Sequence, residues 1–271
     1  MKTLCSIYTC LLVLMGCSTM SLAQAETHGK GFKQSLMVQP VTPIFGTTST
    51  GAGDLPASVD LRGFAIEPGD QGRVNSCASW STAHTLGGWY ANAGKQPVKR
   101  FSPMYLYSQV NDGVDEGSTI EANLDTALSQ GIDTEQHYSW GNYNWKNKPT
   151  AADHASAANH RTPYKKYTVI YSGSGNGKAP LIEQIKRALA ASTPVVIGFH
   201  TRQGFDDLGA NEVDNDTTSP INGGHAVVAL GYNQSGLIIE NSWGENWGSR
   251  GFGTLSWEVV GKDVIVAVVT H

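Results

Sequence analysis

The 271-residue chain has few cysteines, few charges and no long hydrophobic run. Only 15% of the residues are charged, and 19 Lys and Arg against 23 Asp and Glu leave a net charge of -4. A slightly acidic chain lacks the basic surface that nucleic acids require, so we expect no nucleic-acid partner. The hydrophobic share of 40% is enough for one large domain or two small lobes with a core.

The longest apolar run lies at the N-terminus and predicts an export signal. It covers residues 4–16, follows the positively charged Lys2, and is too short for a stable membrane span. Two cleavage sites compete. LMGC resembles a bacterial lipobox, in which Cys17 is lipidated, whereas AQA at residues 23–25 fits ordinary signal peptidase cleavage. Residues 1–25 are therefore the predicted signal region, and the protein is expected in the bacterial cell envelope, with a lipid anchor at Cys17, or outside the cell.

Cysteine scarcity becomes informative once this region is set aside. Cys5 and Cys10 lie in the apolar run, and Cys17 is either lipidated or removed. Only Cys77 remains in the folded part, so that part cannot form an internal disulfide. A lone thiol is easily oxidised outside the cytoplasm. The presence of Cys77 is therefore easier to understand if the thiol is used in a reaction.

The composition changes along the chain and divides it into segments. Residues 26–53 are polar and rich in Gly, Thr and Ser, which indicates a flexible tether or a short pro-segment. The folded domain is predicted over 54–271. Helical periodicity dominates its first part, about 64–165, and strand patterns dominate the second, about 166–265. An α+β fold of two lobes with a cleft between them is therefore expected.

Three helices are predicted in the first lobe. One begins at Ser76 or Cys77 and ends near Gly94, and the next has Ser102 as its cap. The third covers residues 118–131 and ends at a glycine. Cys77 thus lies at a helix N-terminus, where the dipole favours the thiolate.

A reactive thiolate needs an imidazole partner, a group that orients the imidazole, and donors for an oxyanion. QGRVNSCASWS, NGGHAVVALGY and ENSWGENWGSRGFG, in this order, resemble the signature blocks of papain-like cysteine peptidases. The resemblance covers about residues 54–265. It implies a papain-like two-lobe α+β fold, with a helical lobe, an antiparallel β-barrel-like lobe, and the active-site cleft between them.

The resemblance also implies a role for each matching residue. Cys77 would be the nucleophile, His225 its proton partner, and Asn241 the group that orients the imidazole. The Gln71 side-chain amide would join the Cys77 backbone N–H in the oxyanion hole. Gly117 aligns with a glycine whose backbone pairs with the substrate strand.

Other positions of the blocks are more structural or depart from the family pattern. Trp243 would shield the bond between Asn and His from water, with Trp247 as a nearby structural tryptophan. Ala78 follows the nucleophile where the family usually has Trp, and Val74 stands where many members have a disulfide cysteine. Glu116 replaces a frequent glycine and adds charge to the non-primed cleft.

The long helical pro-domain of the family has no counterpart in the short segment 26–53. The enzyme is therefore either active on export or restrained by that segment lying in the cleft. The implied function is hydrolysis of peptide bonds in a peptide or protein substrate through an acyl-enzyme, by a monomer without metal or organic cofactor. Two alternatives stay open: a catalytically weak peptide-binding protein, and an acyl-transferase or cell-wall peptide-processing enzyme on the same scaffold.

Overall fold

The computed structural model describes residues 28–36, 55–97, 100–138, 143–176 and 178–271. The predicted signal region, 1–25, lies outside the described residues, as does most of the predicted tether. Among the described helices, none combines the length and the apolar character that crossing a membrane requires.

The first lobe is built from short helices, as predicted. They are α1 (Cys77–Ser79), a π-helix (Trp80–Gly87), α2 (Gly88–Ala93), α3 (Pro103–Val110), α4 (Ile120–Gln130) and α5 (Ala151–Ala157). The first three follow one another without a break and form the helix predicted from Cys77 to the glycine at 94. Its central turns have π rather than α hydrogen bonding, which the apolar spacing does not reveal.

Capping residues set the ends of two helices. The Ser102 side chain accepts a hydrogen bond from the Tyr105 amide, and Pro103 occupies the first turn of α3. Thr119 caps α4, so this helix begins later than predicted. Gly131 ends it with φ of 84°, a conformation that favours glycine.

The second lobe is one eight-stranded sheet with three helices. The strands are β1 (Val59–Asp60), β2 (Tyr167–Ser172), β3 (Val195–Thr201), β4 (Val213–Asp214), β5 (Gly223–Tyr232), β6 (Gly236–Glu240), β7 (Phe252–Ser256) and β8 (Val264–Thr270); the helices are α6 (Lys178–Ala190), α7 (Gln203–Asp206) and α8 (Trp257–Asp263). The order is β2-β8-β3-β5-β6-β7-β4, with β1 pairing to β5. All pairs are antiparallel except β4 with β7. The sequence predicts neither α5 nor α8.

One apolar cluster stabilises the second lobe, and another holds the two lobes together. One lies within the second lobe, between the sheet and α6 and α8. Another joins the lobes: Leu86 and Trp89 of the first pack with Val228, Leu230 and Ile265 of the second. Burial of this size is the main stabilising term in a domain. The expected α+β two-lobe fold is confirmed.

A buried carboxyl group also lies between the lobes. Glu240, at the end of β6, is 1% exposed. One carboxyl oxygen accepts a hydrogen bond from Thr85 in the π-helix (3.1 Å), and Oε2 has no partner among the described residues. Burial raises the pKa of Glu240 from 4.5 to about 7, against the opposing influence of His84.

This burial predicts a pH-dependent stability. The folded state holds the Glu240 proton more tightly than the unfolded chain does. Ionisation of Glu240 therefore lowers the free energy of unfolding, by an amount that grows as pH rises from about 4.5 and is complete above about 7. Glu240→Gln removes the charge and keeps the shape. We expect its free energy of unfolding, relative to the parent, to increase by about 3 kcal/mol between about pH 4.5 and pH 8.

Denaturant unfolding at a series of pH values measures this difference. Glu258→Gln, at an exposed glutamate in the first turn of α8, is the matched control and should show no such trend. A difference between Glu240→Gln and the parent that is independent of pH would contradict the prediction.

Candidate active site

The only cysteine of the folded part lies at the junction of the two lobes. Cys77 is the first residue of α1 and is 0% exposed. The backbone N–H groups of Ala226, Gly31, Ala78 and Cys77 itself lie near its sulfur and favour the thiolate, against the effect of burial. Ala226 directly follows His225 in β5, so the thiol lies beside the backbone that carries the histidine.

His225 is oriented by Asn241, as the resemblance implies. The His225 Nε2 and Asn241 Oδ1 atoms are 2.7 Å apart, and both residues are buried. Asn241 Oδ1 also accepts a hydrogen bond from the Ser242 amide (2.8 Å). Since this oxygen is an acceptor, His225 Nε2 carries the proton, which leaves Nδ1 as the free base. His225 Nδ1 has no hydrogen-bond partner among the described residues.

The two tryptophans lie where the signature block suggests. The Trp243 ring packs on His225, with the ring centroids 4.8 Å apart, and is buried. Trp247 lies behind it at 6.0 Å and donates from Nε1 to the Phe205 carbonyl (2.9 Å). Phe205 in turn packs on the imidazole. This aromatic shell keeps water from the bond between His225 and Asn241.

Gln71 spans the lobe boundary next to the thiol. Its Oε1 accepts a hydrogen bond from the Ser242 hydroxyl (2.6 Å), and its backbone amide donates to the Ser242 carbonyl (2.8 Å). The Nε2 group donates to the Val74 carbonyl (2.8 Å) and the Gly29 carbonyl (3.0 Å). Gln71 therefore has a fixed orientation, with one N–H used by a residue from the N-terminal segment.

That segment, residues 28–36, lies in the cleft. The Gly29 amide donates to the Gly72 carbonyl, and the Lys30 amide donates to Asn75 Oδ1, each at 3.0 Å. Gly29 and Gly31 fit because they lack a side chain: a Cβ would lie 2.2 Å from the Val74 carbonyl oxygen in the first case and 2.0 Å from the Asn75 oxygen in the second.

The segment continues past the thiol as a strand between the two lobes. The Phe32 amide donates to the Gly224 carbonyl (3.1 Å), on the histidine side of the cleft. On the other side, Ser118 donates to the Gly31 carbonyl (2.9 Å) and accepts from the Lys33 amide (3.0 Å). Both pairings are parallel. The Phe32 ring is buried and fills the space above Gly198, where a Cβ would lie 2.3 Å from the ring.

Gly117 makes the approach of this strand possible. Its φ is 92°, and a Cβ at this position would lie 1.7 Å from the Gly31 carbonyl oxygen. The backbone that pairs with the extended segment belongs to the next residue, Ser118, and the pairing of Gly117 with a substrate strand stays a prediction. Glu116 lies at the same edge and forms an exposed ion pair with Lys33 (3.7 Å).

Burial is the largest influence on the pKa values of the reactive pair. It raises the pKa of the Cys77 thiol to about 11, although four backbone N–H groups oppose the shift. It lowers the pKa of His225 to about 3, and the nearby positive charges of Lys30 and His28 add to this effect. Both shifts favour the neutral thiol and the neutral imidazole and act against the thiolate that the helix N-terminus favours.

One further cluster among the described residues has the composition of a metal site. Asp133, His137 and Asp153 place ligand atoms within 4.8 Å of one another. Asp133 already accepts hydrogen bonds from Ser156 and from a backbone amide, and Asp153 forms a capping box with Thr150. These carboxylates thus stabilise the helical lobe through their hydrogen bonds, and the cluster lies outside the cleft.

Comparisons with known proteins identify the family. The sequence model described as papain family cysteine protease matches residues 55–265. Cathepsin K of Gallus gallus is 31% identical over 73% of this chain and 58% of its own length. A cathepsin L-like proteinase of Fasciola hepatica is 27% identical over 73% of this chain and 59% of its own length. The chain spans about three fifths of the length of these two relatives.

Solved structures show the same fold. Xylellain, a cysteine protease from Xylella fastidiosa, superimposes with a TM-score of 0.67 at 21% identity, over 79% of this chain and 86% of its own. Digestive procathepsin L 3 of Tenebrio molitor superimposes with a TM-score of 0.63 at 20% identity, over 90% of this chain and 75% of its own. Two lobes with a Cys–His–Asn set at their junction define a cysteine-type peptidase. The chain belongs to the papain family of cysteine proteases.

The block residues predicted from the sequence lie together in the structure, but most of the cleft lining was not predicted. Asn75, Ser118, Ser242 and Asp206 all contact the segment or Gln71, and none stands out in the sequence. One signal was present in the segment itself. The alternating glycines of HGKGF are typical of a backbone that approaches another backbone closely.

Displacing the segment should expose the thiol. Gly31→Val cannot be accommodated against Asn75, so we expect alkylation of Cys77 by iodoacetamide at neutral pH to become at least about tenfold faster than in the parent chain. The rate is followed by mass on the peptide that contains Cys77, because three further cysteines lie within residues 1–17. Gly63→Val, at an exposed glycine whose Cβ would touch nothing, is the control. Equal rates in the two variants would show that the segment does not protect the thiol.

Proposed function

We propose that the protein hydrolyses peptide bonds through an acyl-enzyme, and that the residues 28–36 hold it in a latent form. The observation that carries the first part is the 2.7 Å contact between His225 Nε2 and Asn241 Oδ1, which leaves Nδ1 unpaired on a residue whose neighbour Ala226 lies against Cys77. It orients an imidazole for proton exchange with a thiol.

The reaction follows from these positions. His225 Nδ1 takes the thiol proton of Cys77, and the sulfur attacks the carbonyl carbon of the scissile bond. The Gln71 amide and the Cys77 backbone N–H donate to the oxyanion that develops. His225 then gives its proton to the leaving amine, which departs. Water, deprotonated by His225, finally hydrolyses the thioester and releases the acid product.

Latency is supported by the path and direction of the segment. It covers the Cys77 thiol and forms hydrogen bonds with the Gln71 amide and the Ser118 backbone at the same time, so a substrate cannot reach these groups. The chain runs from the Trp243 side towards Ser118. In the family pattern the acyl part of a substrate pairs at the Gly117 edge, so a substrate runs in the opposite direction. The segment therefore covers the catalytic groups without presenting a bond for attack.

Export belongs to the same proposal. It rests on the apolar run in residues 1–25, with lipidation at Cys17 or cleavage after Ala25 as the two routes. A short inhibitory segment suits an enzyme that must stay inactive until it has left the cytoplasm. Fractionation of cells that produce the full chain, with Cys17→Ala as a matched variant, tests the location and the anchor separately.

Active-site titration tests the catalytic assignment. In full-length chain carrying Gly31→Val, we expect an epoxide thiol inhibitor to add one label, located at Cys77 and lost in Cys77→Ala. Hydrolysis of a casein-derived peptide mixture should fall at least about a hundredfold in His225→Ala, and by a similar factor in Gln71→Ala. Mass analysis of the products separates hydrolysis from transfer to an added amine.

Two outcomes would contradict the proposal. Labelling that is no faster than that of a free thiol and indifferent to His225→Ala would mean that the pair is not activated, which favours the peptide-binding alternative. Equal peptidase activity in the parent and in Gly31→Val would refute latency while leaving the peptidase in place. Phe32→Asp, which places a charge in the apolar space above Gly198, gives an independent way to displace the segment.

A further inference from the structure

The side of the cleft that faces Trp243 contains a pocket already occupied by a cation. Lys30 of the segment places its Nζ 2.6 Å from Asp206 Oδ2 and 2.9 Å from Asn222 Oδ1. The same ammonium lies 5.8 Å from the centre of the Trp243 ring. We call the site formed by Asp206, Asn222 and Trp243 the cation pocket.

These groups are held in place by contacts that do not involve the segment. Asn222 donates from Nδ2 to Asp206 Oδ2 (2.8 Å), and its Oδ1 accepts from the Thr201 hydroxyl (2.8 Å). Asp206 is the last residue of α7, and the preceding Phe205 packs between the imidazole and Trp247. The pocket is therefore tied to the aromatic shell of the catalytic histidine and persists when Lys30 leaves.

A cavity of about 1020 Å³ surrounds this site with the segment in place. Apart from the segment's His28 and Lys30, its charged lining residues are Asp206, Asp207 and Arg73, two carboxylates against one guanidinium. A carboxylate beside the face of an aromatic ring binds an ammonium or guanidinium group in preference to an apolar or acidic side chain. Asp206 Oδ1 is buried and has no partner among the described residues, so a donor with more than one N–H could use both oxygens.

The position of the pocket identifies which part of a substrate reaches it. His225 protonates the leaving amine, so the residue that carries this amine lies beside the imidazole and Trp243. The acyl part lies on the opposite side of Cys77, along Ser118. This argument rests on the proposed peptidase function.

We propose that the cation pocket binds a lysine or arginine side chain at the first residue after the scissile bond, and that Lys30 holds the pocket as a substitute for it in the latent form. Asp206 is then a specificity-determining residue on the leaving-group side. The substrate class is a peptide or protein in which cleavage occurs immediately before a basic residue.

Peptide profiling of the full chain carrying Gly31→Val tests this inference. In a peptide mixture, cleavage should be enriched before Lys and Arg. For a matched pair of peptides that differ only in Lys or norleucine after the scissile bond, we expect kcat/KM to favour Lys roughly fivefold or more. Asp206→Asn in the same background should abolish this ratio, and Asp206→Lys should invert it.

Asp207→Asn is the matched control, because it removes the same charge one residue away. The Asp207 carboxylate is exposed and accepts a hydrogen bond from the Gln203 side chain, not from Lys30. It should keep the preference. The ratio of the two peptides within one variant cancels any general loss of folded enzyme. Because the leaving group has departed before deacylation, release of a common acyl group should be equally fast in Asp206→Asn and in the parent background.

The outcomes separate this inference from the proposed function. Hydrolysis that shows no preference for Lys or Arg after the scissile bond, or a preference that Asp206→Asn leaves intact, would overturn the cation pocket and leave the peptidase standing. Absence of any hydrolysis, together with an unreactive Cys77, would instead refute the peptidase. A basic preference lost equally in Asp206→Asn and Asp207→Asn would assign it to the general charge of the cavity and also overturn the specific role of Asp206.

Discussion

The close contact of two glycine backbones with the loop before the nucleophile is the constraint on which the closed cleft depends. Gly29 and Gly31 lie so near Val74 and Asn75 that a Cβ at either position would overlap a carbonyl oxygen. This fit brings the segment over Cys77 and excludes water. Burial in turn raises the pKa of the thiol and lowers that of the imidazole, and the nearby Lys30 adds to the second shift.

The catalytic geometry depends on a second set of contacts, which join the lobes. Gln71 belongs to the helical lobe but exchanges hydrogen bonds with Ser242 of the other, and the Asp70 backbone pairs with that of Trp243. Ser242 also donates to Asn241, so Gln71, the proposed oxyanion donor, and Asn241, which holds the imidazole, share one neighbour. A shift between the lobes would therefore misplace both groups together. The apolar cluster beneath them makes such a shift costly because it buries surface from both lobes.

The parts of the molecule that the sequence predicted are those with local or ordered signals. Ser102 and Gly131 mark helix ends by their own chemistry, and the three blocks around Cys77, His225 and Asn241 keep a fixed order. The pairing of Ser118 and the pocket at Asp206 could not be found this way, because both depend on segments that are distant in the chain and meet only in the fold. The thiolate was expected from the helix N-terminus, but burial outweighs the dipole when the cleft is covered.

The segment combines features that fit it to a substrate site without making it a substrate. Its Phe32 ring occupies the apolar space at Gly198, and its Lys30 ammonium lies against the Asp206 carboxylate on the other side of the thiol. In the proposed latent form, inhibition and recognition are coupled, because a change that weakens binding of Lys30 in the cation pocket would also weaken binding of a basic substrate residue there. Since the segment is part of the same chain, its effective concentration compensates for modest affinity at each contact. Release therefore requires loss of several weak contacts together, which a cut or a displacement near Gly31 would achieve in one step.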